Sequence, residues 1–91
     1  MNLLIVDDEY LVVEEVVTVT DWELLGITEI YSATNAVSAV RILNEKKIDI
    51  MICDIEMPQT DGLELSKKAK ENFPDLEIVM LTSHAEFNYV R

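Results

Sequence analysis

The sequence predicts a parallel α/β sheet, on three observations. Three apolar runs of four residues, Leu3–Val6, Ile50–Cys53 and Ile78–Leu81, each end at a polar residue. Continuous runs of that length suit strands buried on both faces. Segments with helical spacing lie between them, so strands and helices alternate along the chain. That alternation specifies a parallel sheet with crossover helices.

Each element has its own justification. Leu3–Val6 is the first strand. Tyr10–Thr20 contains five Val residues, which favour strands. It is still predicted as a helix, because Val12, Val16 and Val19 recur at helical spacing and Asp8 can cap it. Val13 and Val17 fall on a neighbouring stripe, so the apolar face is wide, meaning extra burial or a sticky surface. Ile27–Ser32, after Gly26, is a weaker second strand. Ala36, Val40 and Leu43 share one face of the next helix, with Arg41, Glu45 and Lys46 off that face. Ile50–Cys53 is the third strand. Leu65, Ala69 and Phe73 line a further helix, with Lys67, Lys68 and Lys70 on its solvated side. Asp61 and Glu64 form a capping pair at its start, and Pro74 ends it. Ile78–Leu81 is the fourth strand. Ala85–Arg91 reads as a helix start, too short to hold unaided. The chain is expected to stop inside an element.

Composition narrows the function. The 91 residues hold 18 acids, 7 Lys or Arg and one Cys, for a net charge of −11. Direct nucleic-acid contact is disfavoured, because it requires cations that displace phosphate counterions. An anionic membrane is disfavoured for the same reason. A single Cys allows no internal disulfide. No apolar run reaches the length of a membrane span, and the N-terminus lacks a signal pattern. A cytoplasmic domain is the expectation that remains. Residues 1–40 carry eight acids and no base. A solvated acidic surface would explain that bias, unless some acids occupy defined positions.

Three of them do. Asp7 and Asp8 follow the first strand, and Asp54 follows the third run. Ligands of parallel sheets bind beyond the carboxyl ends of the strands. If the first and third strands are neighbours, these acids meet in one crevice, with Thr82 on the same rim. Converging carboxylates repel, so a cation must neutralise them or a pKa must rise. Hard oxygen ligands suit Mg²⁺ together with a phosphate oxygen. A carboxylate can itself be the nucleophile toward phosphorus, with a hydroxyl such as that of Thr82 bonding the transferred group. Asp8 alone also fits a helix cap.

These residues resemble the receiver domain of two-component response regulators. Leu3-Leu4-Ile5-Val6-Asp7-Asp8-Glu9 is similar to that family's first strand and acidic pair. Asp54-Ile55-Glu56-Met57-Pro58-Gln59-Thr60-Asp61-Gly62 is similar to its phosphorylation loop. Val79-Met80-Leu81-Thr82-Ser83 is similar to its fourth strand and switch hydroxyl. Thr20-Asp21-Trp22-Glu23 looks like receivers that precede AraC-type DNA-binding domains. The resemblance implies a flavodoxin-like, CheY-like doubly wound sheet of order 2-1-3-4, with the family's fifth strand and last helix missing beyond Arg91. It implies that Asp54 accepts a phosphoryl group from a sensor histidine kinase. Mg²⁺ would be held by Asp7, Asp8, Asp54 and the Glu56 backbone carbonyl. Thr82 and Ser83 would contact the phosphoryl group, while Glu56 and His84 lie where the family tunes dephosphorylation. His84 equally fits an exposed loop residue. A DNA-binding output domain downstream is the expected partner.

The chain also departs from the family. The Lys carried by the family's fifth strand is absent; Lys46, Lys47, Lys67, Lys68 and Lys70 lie on or beside helices. Without the last elements, the fourth strand becomes an open edge, and self-association, such as a homodimer, is expected to cover it. Cys53 is expected inside the core. Trp22, Leu24 and Leu25 are expected to cover the edge between the first helix and second strand, and Phe87 and Tyr89 to pack the last helix or serve an interface. Two other readings compete. A haloacid-dehalogenase-like phosphotransferase needs a second Asp two residues after its nucleophile, where this chain has Glu56. A phosphorylation-independent interaction module or inactive fragment is the other.

Overall fold

The computed structural model describes residues 1–57, 60–81 and 89–90, with the side chains at positions 10, 12, 19, 56, 57, 60, 61, 89 and 90 outside the description. The elements run β1 (Asn2–Val6), α1 (Tyr10–Val19), a 3-10 turn (Glu23–Leu25), β2 (Glu29–Ala33), α2 (Ala36–Glu45) and β3 (Ile50–Asp54). Then come β4 (Glu56–Met57), β5 (Thr60–Asp61), α3 (Gly62–Asn72), β6 (Glu77–Leu81) and β7 (Tyr89–Val90).

The main sheet has the order β2-β1-β3-β6-β7. Its first four strands are parallel, as the 2-1-3-4 expectation requires. β1 lies between β2 and β3, with Leu3 opposite Ile50 and Val6 opposite Cys53. Because side chains alternate across a strand, β1 feeds two cores. Leu4 and Val6 join Ala39 and Leu43 of α2, Leu65 and Ala69 of α3, and Met51, Cys53 and Met80 of the sheet. Leu3 and Ile5 join Val13 of α1 and Ile27 on the other side, with Val16, Val17 and Trp22 packed against them. Helices therefore cover both faces, and Cys53 is fully buried as expected.

The helix ends show which local signals mattered. α2 is capped by Asn35, whose Oδ1 accepts the Ser38 N–H at 2.8 Å. The core face of α2 is set by Ala39 and Leu43, whereas Val40, expected to be inside, is 45% exposed. α3 ends at Asn72, two residues before Pro74. Lys70 then bonds the Leu76 carbonyl at 2.7 Å. The side chain of Asp61, and with it the expected Asp61–Glu64 cap, lies outside the described residues.

Three further expectations are corrected. The N-cap of α1 is Glu9, not Asp8, and it makes no side-chain cap bond. Oδ1 of Asp7 accepts the Glu9 N–H at 2.9 Å, which fixes the turn entering α1 but caps none of the helix's own free N–H groups. Leu24 and Leu25 are 83% and 58% exposed rather than packed over the sheet edge. The 3-10 turn closes on Gly26, whose φ of 81° is left-handed, and this directs both leucines outward. Finally, the end of the expected Ala85–Arg91 helix is the strand β7, antiparallel to β6, with Val90 opposite Met80 and Tyr89 opposite Leu81. Aromatic and β-branched residues favour a strand, and an unpaired edge offers the partner. The fourth parallel strand is thus paired at its carboxyl end, and the side chain of Tyr89, with its expected packing, lies outside the described residues. Phe87 lies outside the described residues.

Candidate phosphoacceptor and metal site

Asp7 leaves the end of β1, where its N–H bonds the Ala33 carbonyl of β2 at 3.1 Å. Asp54 is the last residue of β3 and lies opposite Leu81 of β6. Because β1 and β3 are neighbours in register, both acids reach the same sheet edge. Carboxylate oxygens of Asp7, Asp8 and Asp54 lie within 4.8 Å of one another. Asp7 and Asp54 are buried, at 7% and 2% exposure, and Asp8 is more open to water.

This arrangement is electrostatically uncomfortable. Burial pushes the Asp7 carboxyl up to about 6 from the ordinary 3.8. The Glu9 N–H pulls the other way, and the charges of Asp54 and Asp8 add to the rise. Burial also raises the Cys53 thiol to about 11, with a Ser66 contact opposing it and the Asp54 and Asp7 charges reinforcing it. Cys53 is therefore a core thiol, not a nucleophile. Three all-oxygen donors, two of them buried, with one carboxyl resisting ionisation, form a site that gains by taking a hard divalent cation.

The loop after Asp54 is held by its backbone. The Ile55 N–H bonds the Leu81 carbonyl at 2.9 Å. β4 and β5 pair as a small hairpin, Glu56 opposite Asp61 and Met57 opposite Thr60, which places the Glu56 backbone just beyond Asp54. α3 then starts at Gly62, where a Cβ would overlap the Asp54 carbonyl oxygen. Gly62 is thus a positioning residue that motif reading passed over, although the Asp61-Gly62 pair was its visible signal. Thr82, Ser83 and His84 lie outside the described residues. Lys46 sits 5.9 Å from the Tyr31 ring centroid, and Lys68 pairs with Glu64 at 3.2 Å.

A doubly wound parallel sheet with an acidic trio at the carboxyl ends of adjacent strands defines a phosphoryl-transfer signalling class. The response regulator receiver domain pattern matches residues 3–91, and the chain belongs to that family. It is 34% identical over 90 residues to the transcriptional regulatory protein YesN of Bacillus subtilis, covering 99% of this chain and 24% of YesN. It is 33% identical over 94 residues to YhcZ of the same organism, covering 99% of this chain and 42% of YhcZ. The chain thus spans less than half the length of either relative. Among solved structures, a two-component transcriptional regulator AraC from Clostridium phytofermentans superposes with a TM-score of 0.86 at 26% identity, over 93% of this chain and 68% of that one. The response regulator TrrA of Thermotoga maritima, in complex with Mg²⁺-BeF, superposes with a TM-score of 0.78 at 31% identity, over 92% and 70%. Receiver domains are signalling domains rather than turnover enzymes. They bind Mg²⁺ at an acidic pocket, and the trio found here fits that use. No helix among the described residues is long and apolar enough to cross a membrane.

Proposed function

We propose that Asp54 is the phosphoacceptor of a cytoplasmic signalling domain and takes its phosphoryl group from the phosphohistidine of a sensor kinase. The observation that carries this reading is the convergence of Asp7, Asp8 and Asp54 at the ends of β1 and β3. An Asp54 carboxylate oxygen forms the new bond to phosphorus. The phosphorus–nitrogen bond to the histidine breaks, and the imidazole keeps the electron pair and takes a proton from water. Mg²⁺, when bound, offsets the charge of the transferring group. Asp7, Asp8, Asp54 and the backbone carbonyl of Glu56 would hold it. Thr82 and Ser83 are assigned to contact the phosphoryl oxygens, as their motif implies. Gly62 keeps the Asp54 backbone in place by leaving room for its carbonyl. A DNA-binding output region in the longer protein is supported by the likeness to transcriptional regulators.

The test is incubation with acetyl phosphate and Mg²⁺, followed by intact mass measurement. One added phosphoryl group, lost with EDTA and in Asp54→Asn, is the expected result. Labelling that survives Asp54→Asn would overturn the assignment. Turnover of many phosphate-ester equivalents would instead favour an enzyme.

A further inference from the structure

The end of the sheet opposite the acidic trio carries an exposed apolar corner. Met1, Leu24 and Leu25 are all exposed there. Backbone bonds bring them together. The Met1 amine donates to the Gly26 carbonyl at 2.8 Å, and the Met1 carbonyl accepts the Thr28 N–H at 2.8 Å. Gly26 in turn donates to the Glu23 carbonyl at 3.0 Å, and Leu25 to that of Trp22 at 3.0 Å. The Met1 side chain lies against Gly26, the residue after Leu25. The corner is therefore a fixed surface, and it gives its leucines no core to enter. β1 separates it from Asp7 by about 17 Å at the usual strand rise.

Its border is acidic. Asp21, Glu23 and Glu29 are exposed around the leucines, and with Asp49, whose carboxylate accepts the Asn2 N–H, they outnumber the cations at this end, the Met1 amine and Lys47, whose carbonyl accepts from the Asn2 side chain. A second copy of this chain, at net charge −11, would bring its own acid excess against these acids. A cationic apolar segment meets both features at once, placing apolar side chains on the leucines and Lys or Arg on the rim. We infer that the Met1–Leu24–Leu25 corner docks a basic amphipathic segment of a partner polypeptide. This surface is separate from the phosphoacceptor site, and the inference does not depend on that site's chemistry.

Trp22, the chain's sole tryptophan, is part of the same turn and reports on it by fluorescence. The probe is a 14-residue amphipathic peptide of Leu and Lys, titrated in parallel with a Ser and Lys peptide of equal charge. The expected result is a saturable change in Trp22 emission with the first, and at least tenfold weaker binding of the second. Leu24→Ser with Leu25→Ser, both exposed and so compatible with folding, should weaken the first peptide about tenfold. Glu23→Lys should weaken it by a similar factor through charge alone. Equal binding of both peptides, or unchanged binding by these variants, would overturn the inference. So would backbone amide shifts that map to Asp7 and Asp54 instead of residues 21–29. A peptide-free change in Trp22 emission with protein concentration, abolished by the leucine variants, would assign the corner to a second copy and overturn it too.

Discussion

Replacing Asp7 by Asn should stabilise the metal-free protein at neutral pH. The Asp7 carboxyl is pushed to about 6 in the fold, against 3.8 for the free group. A carboxyl with a raised folded pKa binds more protons folded than unfolded between those values, so its ionisation lowers stability as pH rises through the window. The gap of about two pH units corresponds to ~3 kcal/mol as a ceiling. Water reaching the cluster past Asp8 reduces this, leaving on the order of 2 kcal/mol. Asn keeps an oxygen for the Glu9 N–H, which Asp7 holds at 2.9 Å, so the substitution removes charge with little change of geometry. Urea unfolding of both proteins in EDTA, from pH 4.5 to 7.5, measures the effect. The variant's advantage should be small at pH 4.5, grow through pH 6 and level off above it. Adding Mg²⁺ should reverse the order, because stabilisation by a ligand follows its affinity for the folded state and the variant has lost a carboxylate. A wild type that is the more stable protein in EDTA at pH 7.5, or a difference that ignores pH, would refute the electrostatic argument.

Other perturbations test the scaffold. Gly62→Ala forces a Cβ into the Asp54 carbonyl, so it should cost about 2 kcal/mol or more and lower Mg²⁺ affinity, read by urea unfolding and metal titration. Asn35→Ala removes the cap of α2 and should cost about 1 kcal/mol without changing Mg²⁺ affinity, because the cap lies outside the trio. Within the described residues, Glu77–Val79 of β6 has no partner on its outer side, since β7 reaches only Met80 and Leu81. Self-association through that stretch is expected at micromolar concentration, and sedimentation showing a stable, well-folded monomer there would exclude it.

The sheet was legible because strands buried on both faces leave continuous apolar runs with polar ends, as at Leu3–Val6 and Ile50–Cys53. The trio was legible for the same reason, since those polar ends are Asp7 and Asp54. The phase of α2 was not. Hydropathy ranks Val40 above Ala39, yet the small residue is fully buried and the larger one points outward. Close helix–sheet approach selects for size, which a hydropathy pattern does not carry. Leu24 and Leu25 misled for a related reason. Their burial depends on a turn closed by left-handed Gly26, and hydrophobicity is blind to turn direction. β7 depends on pairing with the carboxyl end of β6, eight to ten residues earlier, which a reading of Ala85–Arg91 as a helix start did not include. The helix cap was misplaced by one residue because Asp7, a site residue, also fixes the turn at Glu9.

The pairing of Leu3 with Ile50 and Val6 with Cys53 acts as a ruler for the acidic trio. Asp7 and Asp54 are connected through sequence only by way of α1, β2 and α2, so no local segment can bring them together. A slip of one residue between β1 and β3 would carry one carboxylate about 3.3 Å along the sheet and turn the matching core residues to the wrong face. Cation binding at the proposed site would then report on strand register across the middle of the domain. A substitution deep in either core that loosens this register should appear first as weakened Mg²⁺ affinity, before any loss of helix content.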